Sequence, residues 1–322
     1  MKKFLLLILS LMLVIGVVGC SKPEVKTEKE LQKQEDKYSQ YANQDVIISA
    51  KTAKDMIDKG GNIAVIDIRK STEYALGHIS SAMSIWRPDY ESTNYPFEGM
   101  RAEKEKIEQL LGSLGIDNET MILLYDGKGD YDAARFWWIL DMYGHDKAAL
   151  IDGGIDGWKA AGLETTTAKP EITAKEYKFE SNVDENKLAT LEDVKAAFDD
   201  PNVIVLDTRS IDEFTGKDLK SGAFRKGRIP QSIWIEYKEA INTGEGADMT
   251  FKSVEELKKL YEGKGITKDK TIIPYCQSAV RSAHTTFVLT QLLGYENVKN
   301  YDGSWIEWSY YEDLPIETGE VK

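Results

Sequence analysis

The chain has 322 residues, of which 30% are charged and 42% are hydrophobic, and its formal net charge is −13. So large a surplus of acidic residues argues against nucleic-acid binding and against electrostatic adhesion to an anionic membrane. The length is sufficient for two domains of ordinary size.

The N-terminus has the pattern of a secretory signal. Lys2 and Lys3 provide a basic start, residues 4–18 are apolar and uncharged, and small residues precede Cys20. The apolar run is shorter than a comfortable membrane span. The pattern resembles a bacterial lipobox, which implies removal of residues 1–19 and lipidation of Cys20. We therefore expect an exported, extracytoplasmic protein, anchored to a bacterial membrane by this lipid. An ordinary signal peptide or a short anchor helix is the alternative.

A polar tether is predicted for residues 20–45. Lys, Glu, Gln and Asp dominate the segment after the cysteine, and so few apolar residues cannot bury a core. We expect it to be solvated and to hold the folded part away from the membrane. With Cys20 acylated, Cys276 would be the one remaining cysteine, so an intrachain disulfide would be impossible. An unpaired thiol in an exported protein suggests a reactive group.

The rest of the chain contains one pattern of residues twice. The corresponding pairs of segments are 65–79 and 205–229, 115–125 and 265–275, and 152–154 and 302–304. Residue 65 corresponds to residue 205, an offset of 140, whereas the later segments are offset by 150. Ten extra residues therefore lie in the second copy, around Thr215 to Lys226.

The alternation of short apolar runs with amphipathic segments in each copy predicts an α/β fold. Short buried strands separated by helices are typical of a parallel sheet with helices on both faces. We expect two tandem domains of this type, at residues 46–165 and 183–322. Residues 166–182 have no sustained periodicity and are the predicted linker.

Two strand ends carry the same pair of charges. Asp67 and Asp207 each end a predicted buried strand, and each is followed two residues later by an arginine. Such pairs commonly fix the loops of α/β units, so we expect Asp207 and Arg209 to brace a loop rather than to take part in chemistry.

Cys276 lies where a predicted strand gives way to a predicted helix. Residues 272–275 are mostly apolar, and an amphipathic pattern begins at Ala283. A thiol in such a loop faces the positive end of a helix and several backbone N–H groups, which favour the thiolate. Arg281, five positions later, adds a cation. We therefore predict a reactive thiolate rather than a buried structural cysteine.

These features resemble the two-domain rhodanese family, the thiosulfate:cyanide sulfurtransferases and their mercaptopyruvate relatives, over nearly all of residues 46–322. The resemblance rests on the duplicated segments, on the cysteine loop and on the terminal motif at residues 302–308. It implies that Cys276 is catalytic and that the following residues bind substrate: Gln277, Ser278, Ala279, Val280, Arg281 and Ser282. It also implies that the N-terminal domain, with Asp126 at the equivalent position, is catalytically silent.

The reaction implied by this resemblance is transfer of sulfane sulfur. Cys276 would take the outer sulfur of thiosulfate as a persulfide and pass it to an acceptor such as cyanide or a thiol. Covalent catalysis of this kind requires no metal and no cofactor, and we expect none. Arg281 is expected to offset the charge of the donor. The hydroxyl groups of Ser278 and Ser282 are expected to add hydrogen bonds, although Ser278 is an equally good helix cap.

The identity of the donor stays open at this stage. Gln277 and Arg281 favour thiosulfate over 3-mercaptopyruvate, whose enzymes resemble one another in having a small neutral loop. The neutral residues directly after Cys276 differ from the basic ones of the mammalian thiosulfate enzymes, so the resemblance does not fix the affinity for thiosulfate.

Two other classes of function share parts of this pattern. Cysteine phosphatases of a related fold have a Cys-x5-Arg loop, whereas Cys276 and Arg281 give Cys-x4-Arg, a smaller loop that suits a sulfur atom better than a phosphate. A sulfur carrier or sensor that does not turn over would keep the same two residues, and the sequence leaves that alternative open.

Overall fold

The computed structural model describes residues 36–320. Cys20 and the predicted signal peptide lie outside the described residues. The described residues form two α/β domains in tandem, each built on parallel strands, which confirms the predicted fold class. No helix between residues 36 and 320 is long and apolar enough to cross a membrane.

The N-terminal domain is built on one parallel sheet with the strand order β1-β5-β4-β2-β3. Its strands are β1 (Ile47–Ile48), β2 (Ile63–Asp67), β3 (Ala82–Ser84), β4 (Met121–Tyr125) and β5 (Ala148–Ile151). Its helices are α1 (Ala50–Lys59), α2 (Ser71–Leu76), α3 (Arg87–Tyr90), α4 (Lys104–Ser113), α5 (Tyr131–Met142) and α6 (Gly154–Ala160). The central strands β2 and β4 are buried along almost their whole length because helices cover both faces of the sheet.

The C-terminal domain repeats this arrangement. Its strands are β6 (Leu188–Ala189), β7 (Val203–Asp207), β8 (Ile233–Trp234), β9 (Thr271–Tyr275) and β10 (Asn300–Tyr301). Its helices are α7 (Leu191–Ala196), α8 (Ile211–Thr215), α9 (Val254–Glu262), α10 (Val280–Phe287) and α11 (Ser304–Tyr310). A parallel bridge from Ile272 to Val298 joins the pairings β8-β7-β9 and β10-β6. The resulting order, β6-β10-β9-β7-β8, matches that of the N-terminal sheet.

The two domains meet through the helices that follow their central strands. Helices α5 and α10 pack against each other, with Trp137 edge-on to Phe287 at 4.9 Å between ring centroids. One apolar cluster includes residues of both domains. Because each of these helices begins at the loop after its central strand, their packing brings the two equivalent loops to the same side of the molecule.

Residues 37–43, here called the N-terminal strap, pack against the folded domains and do not form the predicted solvated tether. Tyr38 and Tyr41 are buried, and the Tyr41 hydroxyl donates a 2.9 Å hydrogen bond to the carbonyl of Lys252. Lys37 forms a 2.7 Å ion pair with Asp152 of the N-terminal domain and donates to the carbonyl of Phe251 in the C-terminal domain. The predicted tether is therefore wrong for this part of the segment, which touches both domains.

The predicted linker runs along the surface of the N-terminal domain. Residues 170–183 contain no helix or strand, but Tyr177 and Phe179 are buried. The amide of Phe179 donates a 3.0 Å hydrogen bond to Glu108 of α4. The linker is therefore fixed in place by specific contacts.

Candidate active site

Cys276 directly follows the central strand β9 of the C-terminal sheet and is only 1% exposed. The carboxyl ends of parallel strands meet at one edge of a sheet, so the loops after β7 and β9 lie side by side there. The hydroxyl of Tyr275 donates a 2.6 Å hydrogen bond to Asp207 at the end of β7, and Thr208 donates from its amide to the carbonyl of Tyr275. Both contacts fix the backbone that enters the cysteine loop, residues 276–281.

Asp207 and Arg209 form a closed ion pair beside this loop. The Arg209 guanidinium donates to both carboxylate oxygens of Asp207 and to the carbonyl of Gly227 at 2.8 Å. Its guanidinium also lies over the ring of Trp305 at 4.7 Å. Both charged groups are buried. The pair thus holds the loop after β7 to the extended loop before β8 and to α11, and its charges are compensated within the protein.

Ser304 braces the cysteine loop from the terminal motif. Its hydroxyl oxygen accepts hydrogen bonds from the amides of Cys276 (3.2 Å) and Ala279 (3.0 Å), and it donates to the carbonyl of Tyr301. The next amide, of Trp305, donates to the carbonyl of Cys276 at 2.9 Å. Three contacts therefore fix both ends of the turn. The terminal motif at residues 302–308 contains Ser304, but nothing in the sequence indicates this bracing role.

Arg281 was predicted to be a free cation that binds the donor, but it is paired with a carboxylate of the protein. Its two terminal nitrogens donate to the two carboxylate oxygens of Glu213, at 2.6 and 2.8 Å. Burial alone would raise the pKa of Glu213, but the Arg281 guanidinium outweighs it and lowers this pKa to about 2. The planar fork expected to bind an oxyanion is thus occupied by a carboxylate of the same domain.

The other predicted substrate-binding residues have different environments. Gln277 donates from its side-chain amide to the carbonyl of Ser221 at 3.1 Å, so the ten-residue extension covers one side of the loop. Ser278 lies against Gly99 of the N-terminal domain, where any larger residue would overlap it. The side chains of Ala279, Val280 and Ser282 are buried, and the Ser282 hydroxyl has no hydrogen-bond partner among the described residues.

The equivalent loop of the N-terminal domain holds an anion of its own. Asp126 occupies the position of Cys276, and its carboxylate accepts hydrogen bonds from four backbone amides at 2.7–3.3 Å. These donors, here called the amide cradle, belong to residues 128, 130, 132 and 133. Burial raises the pKa of Asp126 to about 6 even though the four amides favour its charged form.

Two of the cradle amides have direct counterparts beside Cys276. Residues 132 and 133 are the second and third residues of α5, and Arg281 and Ser282 are the second and third residues of α10. Asp130 and Ala279, which precede the two helices, both adopt left-handed backbone conformations. The loop after β9 is one residue shorter than that after β4 but turns into its helix in the same way. Its geometry therefore suits a sulfur anion held by backbone amides.

The wall opposite the cysteine loop comes from the N-terminal domain. Tyr131 packs edge-on against Tyr237 of the C-terminal domain, with ring centroids 5.3 Å apart. Arg87 lies over the Tyr131 ring and donates a 2.7 Å hydrogen bond to Asp132. No group of three or more His, Cys, Asp and Glu residues within 36–320 is arranged to hold a metal ion.

A family model described as the rhodanese-like domain matches the chain twice, at residues 49–161 and 190–310. Similar proteins include one from Mycobacterium leprae that is provisionally named a thiosulfate sulfurtransferase. It is 36% identical over 287 residues, which cover 86% of this chain and 99% of the relative. The thiosulfate sulfurtransferase of Corynebacterium glutamicum is 32% identical over 291 residues, covering 88% of this chain and 94% of that protein. A sulfur carrier protein, TtuD of Thermus thermophilus, is 35% identical over 291 residues, covering 87% and 99%.

Solved structures share the fold at lower identity. The anaerobic ergothioneine biosynthesis enzyme of Chlorobium limicola superposes with a TM-score of 0.79 at 21% identity, over 87% of this chain and 72% of that one. The structure of YnjE gives a TM-score of 0.76 at 23% identity, over 87% and 70%. Two matches to one domain model, curated relatives aligned over almost their whole length and this shared fold agree: the chain belongs to the rhodanese family.

Proposed function

We propose that this protein is a sulfurtransferase that moves sulfane sulfur from thiosulfate to a thiophilic acceptor, cyanide or a thiol, through a persulfide on Cys276. The observation that carries the proposal is the pair of equivalent loops. One holds the carboxylate of Asp126 in an amide cradle, and the other has the only described cysteine at the same position. A loop that stabilises one buried anion can stabilise another, here a thiolate and then a persulfide.

The reaction has two displacement steps. The Cys276 thiolate attacks the outer sulfur of thiosulfate, a new S–S bond forms, and sulfite leaves with the electron pair of the old one. The acceptor then attacks the outer sulfur of the persulfide and regenerates the thiolate. The backbone amides of Arg281 and Ser282, the counterparts of two cradle amides, stabilise negative charge on sulfur in both steps. Ser304 accepts from the amides of Cys276 and Ala279 and so fixes the turn that leads to them.

The test is the intact mass of the protein before and after incubation with thiosulfate. We expect a gain of one sulfur atom, lost again on addition of cyanide with release of thiocyanate. The Cys276→Ser variant, which is nearly isosteric, should gain nothing while keeping its circular dichroism spectrum. Sulfur gain or thiocyanate turnover by that variant, when well folded, would exclude this mechanism. Repeating the loading with 3-mercaptopyruvate tests the related donor on the same site.

A sulfur carrier that does not turn over is the second candidate, favoured by the name of the Thermus thermophilus relative. Both candidates predict a persulfide on Cys276. Steady-state thiocyanate release over many equivalents of enzyme supports the transferase, whereas release of a single equivalent supports the carrier.

We also propose that the protein is exported and lipid-anchored through Cys20. The basic start, short apolar run and cysteine support this location. Metabolic labelling with a fatty acid should modify the wild type and not the Cys20→Ala variant. Labelling of that variant would contradict the proposal.

A further inference from the structure

The guanidinium of Arg281, the cation of the cysteine loop, is bound by a carboxylate of the protein itself, that of Glu213. Glu213 binds Arg281 through both oxygens and also accepts hydrogen bonds from the amide and hydroxyl of Ser210, so its orientation is fixed from two sides. The side chains of Glu213 and Arg281 are 2% and 18% exposed. Because Glu213 has a pKa of about 2, it is charged at any pH near neutrality.

The neighbouring charges are also matched in pairs. Arg209 is paired with Asp207, and on the opposite wall Arg87 is paired with Asp132. The carboxylate of Glu236 interacts electrostatically with Arg281, and its Oε1 lies 3.9 Å from Nζ of Lys238. The charges next to Arg281, and that of Arg87 opposite, are therefore largely compensated by their own partners.

The same loop position carries an ion pair in the silent domain, with the charges reversed. Asp132 is the second residue of α5, as Arg281 is the second residue of α10, and it pairs with Arg87 at 2.7 Å. The partners come from different elements, since Arg87 lies in α3 and Glu213 in α8. In each copy, the charged second residue of the helix is held by an ion pair within its own domain.

Resting on the proposed function, we propose that Glu213 is a specificity-determining residue: it masks the charge of Arg281 and thereby weakens the preference of the donor site for a dianion over a monoanion. A free guanidinium fork would favour a dianion strongly, through bidentate hydrogen bonds and charge. Glu213 occupies that fork and cancels its charge.

The step is the same displacement for a thiosulfonate as for thiosulfate. The Cys276 thiolate attacks the outer sulfur, the S–S bond of the donor breaks, and a sulfinate leaves in place of sulfite. The total charge is conserved, and no proton or external oxidant is consumed. The two donors therefore differ at the site chiefly in charge.

The experiment compares thiosulfate with methanethiosulfonate as donors, by kcat/KM for thiocyanate formation. The Glu213→Gln variant frees Arg281 and should raise the ratio of thiosulfate to thiosulfonate efficiency about tenfold, since one unit charge near the site is unmasked. Glu73→Gln, which changes the equivalent glutamate of the silent copy, should leave the ratio unchanged. A ratio that is unchanged or lower in well-folded Glu213→Gln would overturn the proposal.

A second measurement needs no variant. For the wild type, kcat/KM with thiosulfate should stay level or rise as ionic strength increases, because a site without net positive charge does not attract a dianion. A steep fall with salt would contradict the inference even if Glu213→Gln failed to fold. If neither donor places sulfur on wild-type Cys276, the proposed function fails. If both do but the ratio and salt dependence are those of a cationic site, only this inference fails.

Discussion

Arg135 of the N-terminal domain donates a 2.6 Å hydrogen bond to Asp302 of the C-terminal domain, and both side chains are buried. Asp302 also accepts a hydrogen bond from the backbone amide of Arg101 at 3.3 Å. Two residues later, Ser304 holds the amides of Cys276 and Ala279. The domain without a cysteine is thus linked through one carboxylate to the residue that shapes the cysteine loop.

Breaking this interdomain ion pair should cost stability. Arg135→Met keeps much of the side-chain volume but leaves the buried Asp302 without its closest cation, so the free energy of unfolding should fall by about 3 kcal/mol. Urea denaturation measures the change. Lys147→Met removes the exposed pair with Glu119 and should leave stability nearly unchanged. Equal effects of the two substitutions would show that Arg135 contributes no more than a surface pair.

Removing the hydroxyl of Ser304 should impair loading of Cys276 more than it impairs folding. Ser304→Ala leaves the amides of Cys276 and Ala279 without their common acceptor, so we expect sulfur loading from thiosulfate to slow by about tenfold, a loss of one or two hydrogen bonds. Single-turnover mass spectrometry measures this rate. Ser309→Ala, a buried serine on the same helix with no contact to the loop amides, is the control. Equal rates for the two variants would rule out this positioning role.

His284 should make the protein less stable in mild acid. Burial holds the pKa of His284 at about 3, whereas in the unfolded chain it is near 6.5. Its neutral state thus contributes stability that is fully present above pH 6.5 and is lost as the pH falls toward 3. The slope approaches about 1.4 kcal/mol per pH unit.

Burial raises the pKa of Asp126 to about 6, so this carboxyl group adds stability as the pH falls below 6 and opposes the effect of His284. The effect of His284 must therefore be measured against a variant. His284→Leu keeps the bulk but does not titrate. Urea denaturation at a series of pH values from about 7.5 to 5 should show wild type losing stability relative to His284→Leu as the pH falls. Parallel curves for the two proteins would contradict the assignment.

Deleting the N-terminal strap should destabilise both domains together. A chain beginning at Gln44 loses the buried rings of Tyr38 and Tyr41 and leaves Asp152 without Lys37. Burial of a large side chain is worth about 2 kcal/mol, so we expect a lower melting temperature by calorimetry. A chain beginning at Glu35 keeps these contacts and is the matched control. Identical melting of the two would show that the strap adds no stability.

The fold could be predicted from sequence because its signals are local and occur twice. The apolar runs that became β2 and β4 recur as β7 and β9, ten residues further apart in the second copy, and each ends at a polar loop. The cysteine loop was also local, since the strand before Cys276 and the helix after it determine its geometry.

The contacts that define the site could not be read in the same way. Arg281 and Glu213 are 68 residues apart, so nothing nearby in the sequence shows that the cation is taken. Glu213 lies within the repeated segment 205–229, and that segment gives no sign of its partner. The polar composition of the strap predicts a solvated segment. Its burial depends on two tyrosines and on the ion pair of Lys37 with Asp152, which composition does not show.

The strap also has a mechanical consequence for an anchored protein. Any tension applied through the N-terminus reaches Lys37 and the two tyrosines before it reaches either sheet, because these residues contact both domains at once. A lipid on Cys20 would be separated from Asp36 by sixteen peptide units, which span at most about 55 Å. The force would then act on the interface between the two domains. Both domains would share it, so it would not pull one domain away from the other and open the cleft.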